Sequence, residues 1–324
     1  MSYSYLPGCS LEHSAIAYHQ STMAIASRLG LEFVELTDWN CCGATEYISV
    51  ELIPAYALSG RNLALAAQHK AQGHGDQLVA PCSACFLNLC NANRSMADSP
   101  ELAEKVNIAL SAGGMHYDPD SVRVRHLLDV IVNDIGYEAI TQEVSRPLYG
   151  LRISPYYGCL IVRPGFDGGF DDSENPTSME KLLRGLGAVA VDFPLKTQCC
   201  GGHMTQIMRS EALELIRRLL QTVADSGADL IVTPCPMCQL NLDVYQSGVN
   251  HQFGTDFHIP ILYFTQLMGL AFGMTHRSLG IGREFTDAKA ALSKISAEPP
   301  HEGKPAHKRP PKEALPMPMI PEEW

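Results

Sequence analysis

Short apolar runs alternate with longer amphipathic stretches along this chain, and the same order of elements occurs twice. Strands are predicted at residues 3–6, 31–36, 77–80, 151–156, 188–193 and 229–233. Helices are predicted at residues 13–29, 51–71, 179–186 and 211–225. This alternation is typical of an α/β protein in which crossover helices connect the strands of a mostly parallel sheet. The sequence therefore predicts two tandem Rossmann-like repeats.

Three further segments carry apolar residues at helical spacing. Residues 99–111 and 122–135 follow the first repeat, and residues 259–274 are their rough counterpart after the second. The stretch 260–274 is very apolar but contains Thr265 and Gln266. A transmembrane helix needs about 20 apolar residues. We therefore predict a buried helix here and no transmembrane segment.

The composition changes near the end of the chain. Eight prolines fall between Glu298 and Trp324, so this part is predicted to be an extended tail. Docking of its less polar end on a partner and inert disorder are equally compatible with the sequence. The predicted domains are 1–145 and 146–275, followed by a C-terminal helix and proline-rich tail at 276–324.

Ten of the eleven cysteines form two copies of one pattern, in which a single cysteine precedes a Cys-Cys-Gly and then a Cys-x-x-Cys. The copies are Cys9, Cys41, Cys42, Cys82 and Cys85, and Cys159, Cys199, Cys200, Cys235 and Cys238. Each cysteine group directly follows a predicted strand. Because ligands bind outside the carboxyl ends of neighbouring parallel strands, the loops of each repeat are expected to meet at one site.

The length and the net charge of the chain exclude some classes of function. The 324 residues, of which 46% are hydrophobic, suffice for two domains of ordinary size. The net charge of −11 argues against a nucleic-acid backbone or an anionic membrane as the main partner. The first residues do not resemble a secretory signal, so a cytoplasmic protein is expected. In that reducing compartment, clustered cysteines bind metals or perform redox chemistry more often than they form structural disulfides.

Three kinds of cysteine site compete for this pattern. Structural zinc commonly uses two closely spaced Cys-x-x-Cys units, whereas here each half has one such unit and 31 to 39 residues separate the groups. A thioredoxin-like dithiol would leave most of the thiols without a role. Iron–sulfur clusters fit best because several thiolates hold them. Five thiolates exceed the four corners of a cubane, which indicates an unusual cluster.

With these motifs, the sequence resembles the CCG-domain family, and in particular the B-type subunits of heterodisulfide reductases, including their relatives in sulfur-oxidising complexes. The resemblance covers about residues 1–275 and includes all ten motif cysteines. It implies that each set of five cysteines holds one non-cubane [4Fe-4S] cluster. It also implies a disulfide, thiol or lipoate-bound sulfur substrate, whose bonds are broken or formed with electrons from an iron–sulfur C-type subunit and a flavoprotein A-type subunit. The alternative is an electron-relay subunit that contacts no substrate.

Several other residues are candidates for the site. His203, which follows Cys199-Cys200-Gly201-Gly202, is the best candidate proton donor to a departing thiolate, although a solvated or capping histidine is equally compatible. Cys90 is expected to be a buried structural thiol, and His116 and His126 are expected to be structural. Lys196 is expected to be an ordinary loop lysine, and Arg123 and Arg125 a surface face. Tyr5, Tyr156 and Tyr157 precede the first cysteine of each repeat, where they could shield a cluster or pack the strands.

Overall fold

The computed structural model of the protein describes residues 1–44, 47–163, 165 and 169–299. The predicted proline-rich tail beyond residue 299 lies outside the described residues. Two four-stranded parallel sheets form the core of the fold, one in each repeat, with strand orders β2-β1-β3-β4 and β6-β5-β7-β8. The predicted fold class, two α/β repeats with parallel sheets, is confirmed.

The first repeat contains the strands β1 (Ser2–Tyr5), β2 (Glu32–Glu35), β3 (Gln77–Ala80) and β4 (Arg123–His126). Its helices are α1 (Cys9–Glu12), α2 (Ile16–Arg28), α3 (Tyr47–Val50), α4 (Leu52–Ala71), α5 (Ser83–Asp98), α6 (Pro100–Ser111), α7 (Leu127–Asp129) and α8 (Tyr137–Gln142). A π-helical turn at Val130–Ile135 separates α7 from α8. Helices α2 and α4 occur where the sequence pattern predicts them.

The second repeat has the same plan, with strands β5 (Arg152–Pro155), β6 (Val189–Ala190), β7 (Leu230–Thr233) and β8 (Ile261–Tyr263). Its helices are α9 (Ser178–Gly185), α10 (Met204–Ile207), α11 (Arg209–Ser226), α12 (Pro236–Val244), α13 (Gln246–Phe253) and α14 (Phe264–Ala271). After it come a 3-10 turn at Arg277–Leu279 and helix α15 (Lys289–Leu292). Strand β6 is shorter than the run predicted at 188–193.

The fourth strand of each sheet corrects the sequence prediction. Residues 122–135 and 259–274 are predicted as helices, but each segment contains a strand near its start, β4 or β8, that pairs in parallel with β3 or β7. Short apolar runs do not distinguish a strand from a buried helix by periodicity, so only the neighbouring strand decides. The predicted surface face is also wrong for Arg125, which is buried, whereas Arg123 is exposed.

The two repeats share a continuous hydrophobic core at their junction. Helix α2 of the first repeat packs against α14, and the Tyr18 ring stacks on that of Tyr263 with 4.3 Å between centroids. The buried hydroxyls of Ser21 and Thr265 lie 2.7 Å apart across the same junction. Two smaller cores belong to one repeat each and include that repeat's buried motif cysteines. Each cysteine site therefore has a scaffold of its own beside a common junction.

Candidate metal centres at the strand ends

The cysteines lie in the loops that follow the first three strands of each sheet. Cys9 follows β1 at the start of α1, Cys41 and Cys42 follow β2, and Cys82 and Cys85 lie where β3 leads into α5. The strand order places the topological switch point between β1 and β3, where crossovers leave in opposite directions and open a crevice. The second repeat places its cysteines in the same way after β5, β6 and β7.

In the first repeat the five thiols form one chain of contacts. The Sγ atoms of Cys9 and Cys41 are 3.6 Å apart. The other thiols are close enough to shift one another's pKa values, in the pairs Cys41 and Cys42, Cys42 and Cys85, and Cys85 and Cys82. Cys9 and Cys41 are exposed, and the other three thiols are buried. The predicted convergence of three loops on one site is thus present in the structure of this repeat.

The second repeat has the same chain of contacts. Cys159 and Cys199, and Cys199 and Cys200, shift one another's pKa values. The Sγ atoms of Cys200 and Cys238 are 3.5 Å apart, and the neighbouring Cys238 thiol lowers the pKa of Cys235. Cys199 is exposed, as its counterpart Cys41 is. Duplicated sequence has therefore produced duplicated geometry.

Because the thiols are close together, the pKa of one thiol is lowered and that of its neighbour is raised. Hydrogen bonds from Cys42 and Cys9 lower the pKa of Cys41 to about 2, and the Cys41 thiolate in turn raises the pKa of Cys42 to about 12. Hydrogen bonds from Cys159 and Cys200 likewise lower the pKa of Cys199 to about 2. Five adjacent thiolates would repel one another, so their joint ionisation requires positive charge among them. Iron would supply that charge, and the thiol set fits an iron–sulfur group.

Within the described ranges, no three Cys, His, Asp or Glu side chains surround a single point as ligands of one metal ion. Each set of thiols extends instead along three loops, from partly or fully exposed thiols to a buried Cys-x-x-Cys. A group containing several metal atoms binds different thiolates at different atoms. Its ligands are consequently more widely spread than those of a single ion.

Glycine precedes the first cysteine of each repeat for a steric reason. Gly8 and Gly158 have φ angles of 74° and 69°, which side-chain-bearing residues rarely adopt. A Cβ atom at Gly8 would lie 3.0 Å from Cys85 Sγ, and one at Gly158 would lie 2.8 Å from Cys238 Sγ. The absence of a side chain lets this loop approach the Cys-x-x-Cys thiol.

We expect Gly158→Ala to reduce the iron bound by the second repeat by more than half, because the methyl group would displace the Cys238 thiol. The matched control is Gly227→Ala, since Gly227 has a similar φ of 67° but no atom within 4 Å of its Cβ position. Iron content per chain after anaerobic purification measures the effect. Equal iron in both variants would contradict the predicted clash between a side chain at this position and the Cys238 thiol.

Two asparagines that the sequence reasoning missed brace the cysteine loops. The Asn88 side-chain amide donates to the carbonyl oxygens of Cys42, at 3.2 Å, and Ala44. In the second repeat, the Asn241 amide donates to the carbonyl oxygens of Cys200 and Gly202 at 3.3 and 2.7 Å. Each asparagine lies three residues after the last motif cysteine of its repeat, so the internal repeat itself carried this signal.

The remaining candidates occupy varied environments. His203 precedes helix α10 and is half-buried. Lys196, predicted as an ordinary loop lysine, is instead largely buried and forms a 2.7 Å ion pair with Glu180.

His116 is exposed beside Asp118, and His126 is fully buried. Three residues are packed in the interior with 0% of their surface exposed: Tyr5, Tyr156 and Tyr157. Cys90 lies on α5, where burial raises its pKa to about 12.

A groove and a larger cavity lie near the cysteine loops. A groove of about 570 Å³ exposes Cys9 and Cys41 between the acidic side chains of Glu12, Glu35 and Asp38. A larger cavity of about 810 Å³ lies between α5, β4 and the loop after Cys159, and none of the ten motif cysteines lines it. The first repeat's thiols thus meet solvent in an acidic groove.

Among the helices that the structure describes, none is long and apolar enough to cross a bilayer.

Two parallel sheets, each with five thiols at its carboxyl edge, define a tandem cysteine-rich α/β protein. The model of the CCG family, described as a cysteine-rich domain, matches residues 3–90 and 153–243, and the chain belongs to this family. These two matched ranges coincide with the two thiol sets, so the resemblance drawn from the cysteine motifs is confirmed.

Two relatives match nearly the whole chain. The chain is 35% identical to the 8-methylmenaquinol:fumarate reductase membrane anchor subunit of Wolinella succinogenes, over 88% of this chain and 97% of that protein. It is 30% identical to the B subunit of the ferredoxin:CoB-CoM heterodisulfide reductase of Methanosarcina mazei, over 89% of this chain and 95% of that protein. Both relatives are named as reductase subunits, which supports a general redox role for this chain.

A solved structure shares the fold. A hypothetical protein from Helicobacter pylori superposes with a TM-score of 0.67 and 16% sequence identity, covering 88% of this chain and 51% of that one. This chain therefore spans about half of that protein's length. At this identity the likeness concerns the fold alone.

Proposed function

We propose that this chain is the iron–sulfur subunit of a heterodisulfide reductase-like complex that breaks or forms sulfur–sulfur bonds. Each repeat would hold one non-cubane [4Fe-4S] cluster on its five cysteines. The ligands would be Cys9, Cys41, Cys42, Cys82 and Cys85 in the first repeat and Cys159, Cys199, Cys200, Cys235 and Cys238 in the second. The observation that carries this proposal is that equivalent loops bring five thiols together in each repeat.

The number of centres fits the chemistry of the substrate class. Cleaving a disulfide requires two electrons, which two bound one-electron clusters would supply. The chain's own part is to hold two centres beside a common junction and to deliver a proton to a departing thiolate. His203 is our candidate proton donor because it is half-buried and immediately follows the Cys-Cys-Gly loop of the second repeat.

The proposed partners follow from the family and from the names of its members. A C-type iron–sulfur subunit and an A-type flavoprotein would deliver or accept the electrons in the cytoplasm. The substrate would be a disulfide, a thiol or a lipoate-bound sulfur. The acidic groove at Cys9 and Cys41 supports electron exchange with a partner there, because exposed ligands shorten the distance to a docked centre.

An electron-relay role is the second candidate function. One observation favours it: a relative with 35% identity is part of a quinol:fumarate reductase, and neither menaquinol nor fumarate contains a disulfide bond. In that role the two clusters would pass electrons between partner subunits without binding substrate. The cavity of about 810 Å³ has no motif cysteine in its lining, which agrees with a relay as well as with catalysis.

An anaerobic single-turnover experiment distinguishes the two. We expect the purified chain to contain iron and acid-labile sulfide, and the dithionite-reduced protein to be reoxidised by a low-molecular-weight disulfide with release of two thiols. A relay protein would be reoxidised by an outer-sphere one-electron acceptor such as ferricyanide and not by the disulfide. Zinc in place of iron and sulfide would contradict both functions.

A further inference from the structure

A side-chain hydrogen bond to a motif sulfur distinguishes the second repeat from the first. The Asn241 amide nitrogen lies 3.5 Å from Cys200 Sγ and donates a hydrogen bond to it. Both residues are buried, with 3% of the surface of each exposed. A hydrogen bond in such surroundings is stronger than one in water, because the local dielectric constant is low. The amide therefore favours negative charge on this sulfur.

The neighbouring carbonyl groups fix the orientation of the Asn241 amide. Its Nδ2 also lies 2.7 Å from the carbonyl oxygen of Gly202 and 3.3 Å from that of Cys200. A carbonyl oxygen can only accept hydrogen bonds, so the nitrogen and not the oxygen of the amide must face this loop. The amide has two N–H groups for these two oxygens and the sulfur, so it shares one hydrogen between two acceptors.

The first repeat has the corresponding asparagine without the bond to sulfur. The Asn88 amide donates to the carbonyl oxygens of Cys42, at 3.2 Å, and Ala44. These two oxygens are the counterparts of the ones that Asn241 contacts, and they use both N–H groups of Asn88. Among the described residues, the Cys42 sulfur accepts no hydrogen bond from Asn88. The two asparagines thus brace their loops alike and differ in the contact with the thiol.

The charges beside the exposed thiols differ in the same sense. Glu12 and Glu35 line the groove of the first repeat, whose third carboxylate, Asp38, is paired with an arginine. Val162 and Phe193 occupy the positions that match the two glutamates, counted from the corresponding motif cysteines. Net charge and hydrogen bonds to the sulfurs both set the reduction potential of an iron–sulfur cluster. The carboxylates therefore oppose uptake of an electron by the first repeat's centre.

We propose that Asn241 is a positioning residue that raises the reduction potential of the second repeat's cluster above that of the first, by donating a hydrogen bond to the Cys200 sulfur. This inference rests on the proposed function, because it requires a cluster in each repeat. The more negative, reduced state of a cluster gains more from a donated hydrogen bond than the oxidised state does. An electron that a partner delivers to the subunit would accordingly settle on the second repeat's centre.

The test is a redox titration of the anaerobically purified protein, followed by electron paramagnetic resonance. The second repeat's signal is the one missing from a Cys238→Ala variant, and in the wild type it should be reduced at the higher potential. Asn241→Leu keeps a side chain of similar shape but removes the donor. We expect it to raise the oxidised-to-reduced ratio of this cluster at a fixed potential by about two- to tenfold. Asn241→Gln, which retains an amide, should recover part of the shift.

Asn88→Leu is the matched control. It removes the hydrogen bonds that brace the first repeat's loop and leaves every bond to sulfur in place. The first cluster's ratio should therefore change by less than about twofold. Equal shifts in Asn88→Leu and Asn241→Leu would show that the shape of the loop, and not the bond to sulfur, sets the potential. That result would overturn the inference.

A second measurement does not depend on the folding of a variant. In wild-type protein with isotope-labelled asparagine side-chain nitrogens, the label should couple to the second repeat's signal and not to the first's, because a bond to the ligand sulfur lets spin density reach the nitrogen. This coupling decides the matter if Asn241→Leu loses its iron.

Absence of the coupling, a reversed order of the two wild-type potentials, or unchanged potentials in Asn241→Leu with full iron content would each overturn the inference and leave the proposed function intact. A wild-type protein without iron would overturn both.

Discussion

Replacing Cys238 by alanine is expected to remove about half of the iron and leave the first repeat's centre in place. Cys238 is buried at the end of the second repeat's chain of thiol contacts, beside Cys200 and Cys235. Its core is separate from the one that contains Cys42, Cys82 and Cys85. Losing this ligand should therefore affect one site and not the other.

Iron and acid-labile sulfide per chain measure the result, with Cys85→Ala as the equivalent change in the first repeat. The double variant should contain almost no iron. Cys90→Ala is the matched control, because Cys90 is also largely buried and lies on α5 five residues after Cys85, but outside the motif. Complete loss of iron from Cys238→Ala alone would mean that the two repeats share one centre, which would contradict two independent sites.

The repeat and the sheet could be read from the sequence because both leave periodic signals. Strand β3 runs from Gln77 to Ala80, as predicted, since an apolar run between a helix and a Pro-Cys turn has few alternatives. The cysteine loops could be placed for a related reason: carboxyl ends of parallel strands lie at one edge, whatever the side chains are. Geometry that a whole fold class shares could thus be predicted from this sequence.

Features that depend on a contact with one particular residue elsewhere in the chain could not be predicted from the sequence. Strand β4 contains Arg123 and Arg125, which together resemble a solvated face until the carboxylates near Arg125 are known. Asn88 and Asn241 likewise contact residues that are distant in sequence. A single sequence has no periodic signal for such pairs, although the spacing of Asn88 and Asn241 from their cysteines recurs in both repeats.

Arg125 is expected to be the most important single charge for stability. Its guanidinium donates to both carboxylate oxygens of Asp129, at 2.6 and 2.8 Å, and to Asp134 at 2.5 Å. Its side chain is only 5% exposed. Removing one partner of a buried ion pair costs about 3–5 kcal/mol, because the remaining charge stays unpaired.

We therefore expect Arg125→Met to lower the free energy of unfolding by about 3–5 kcal/mol. Arg125→Lys should recover only part of the lost stability, since an ammonium group cannot make the bidentate contact with Asp129. Arg123→Ala, on the same strand but exposed, should change it by less than about 0.5 kcal/mol. Urea denaturation of the anaerobic holoprotein measures all three, and equal stabilities of Arg125→Met and Arg123→Ala would contradict the buried network.

The difference in free energy of unfolding between wild type and Arg125→Met should also become smaller at acidic pH. Burial alone would raise the pKa of Asp134, but hydrogen bonds from Arg125 and Tyr3 outweigh it and the pKa is lowered. A carboxyl group with a lowered pKa stabilises the folded wild type at neutral pH, and this contribution is lost as the pH falls from about 4 through the folded-state pKa. In the variant, the unpaired carboxylates take up protons at higher pH and so lose their repulsion first. A stability difference that widened below pH of about 4 would show that packing of the arginine stem, and not its charge, dominates.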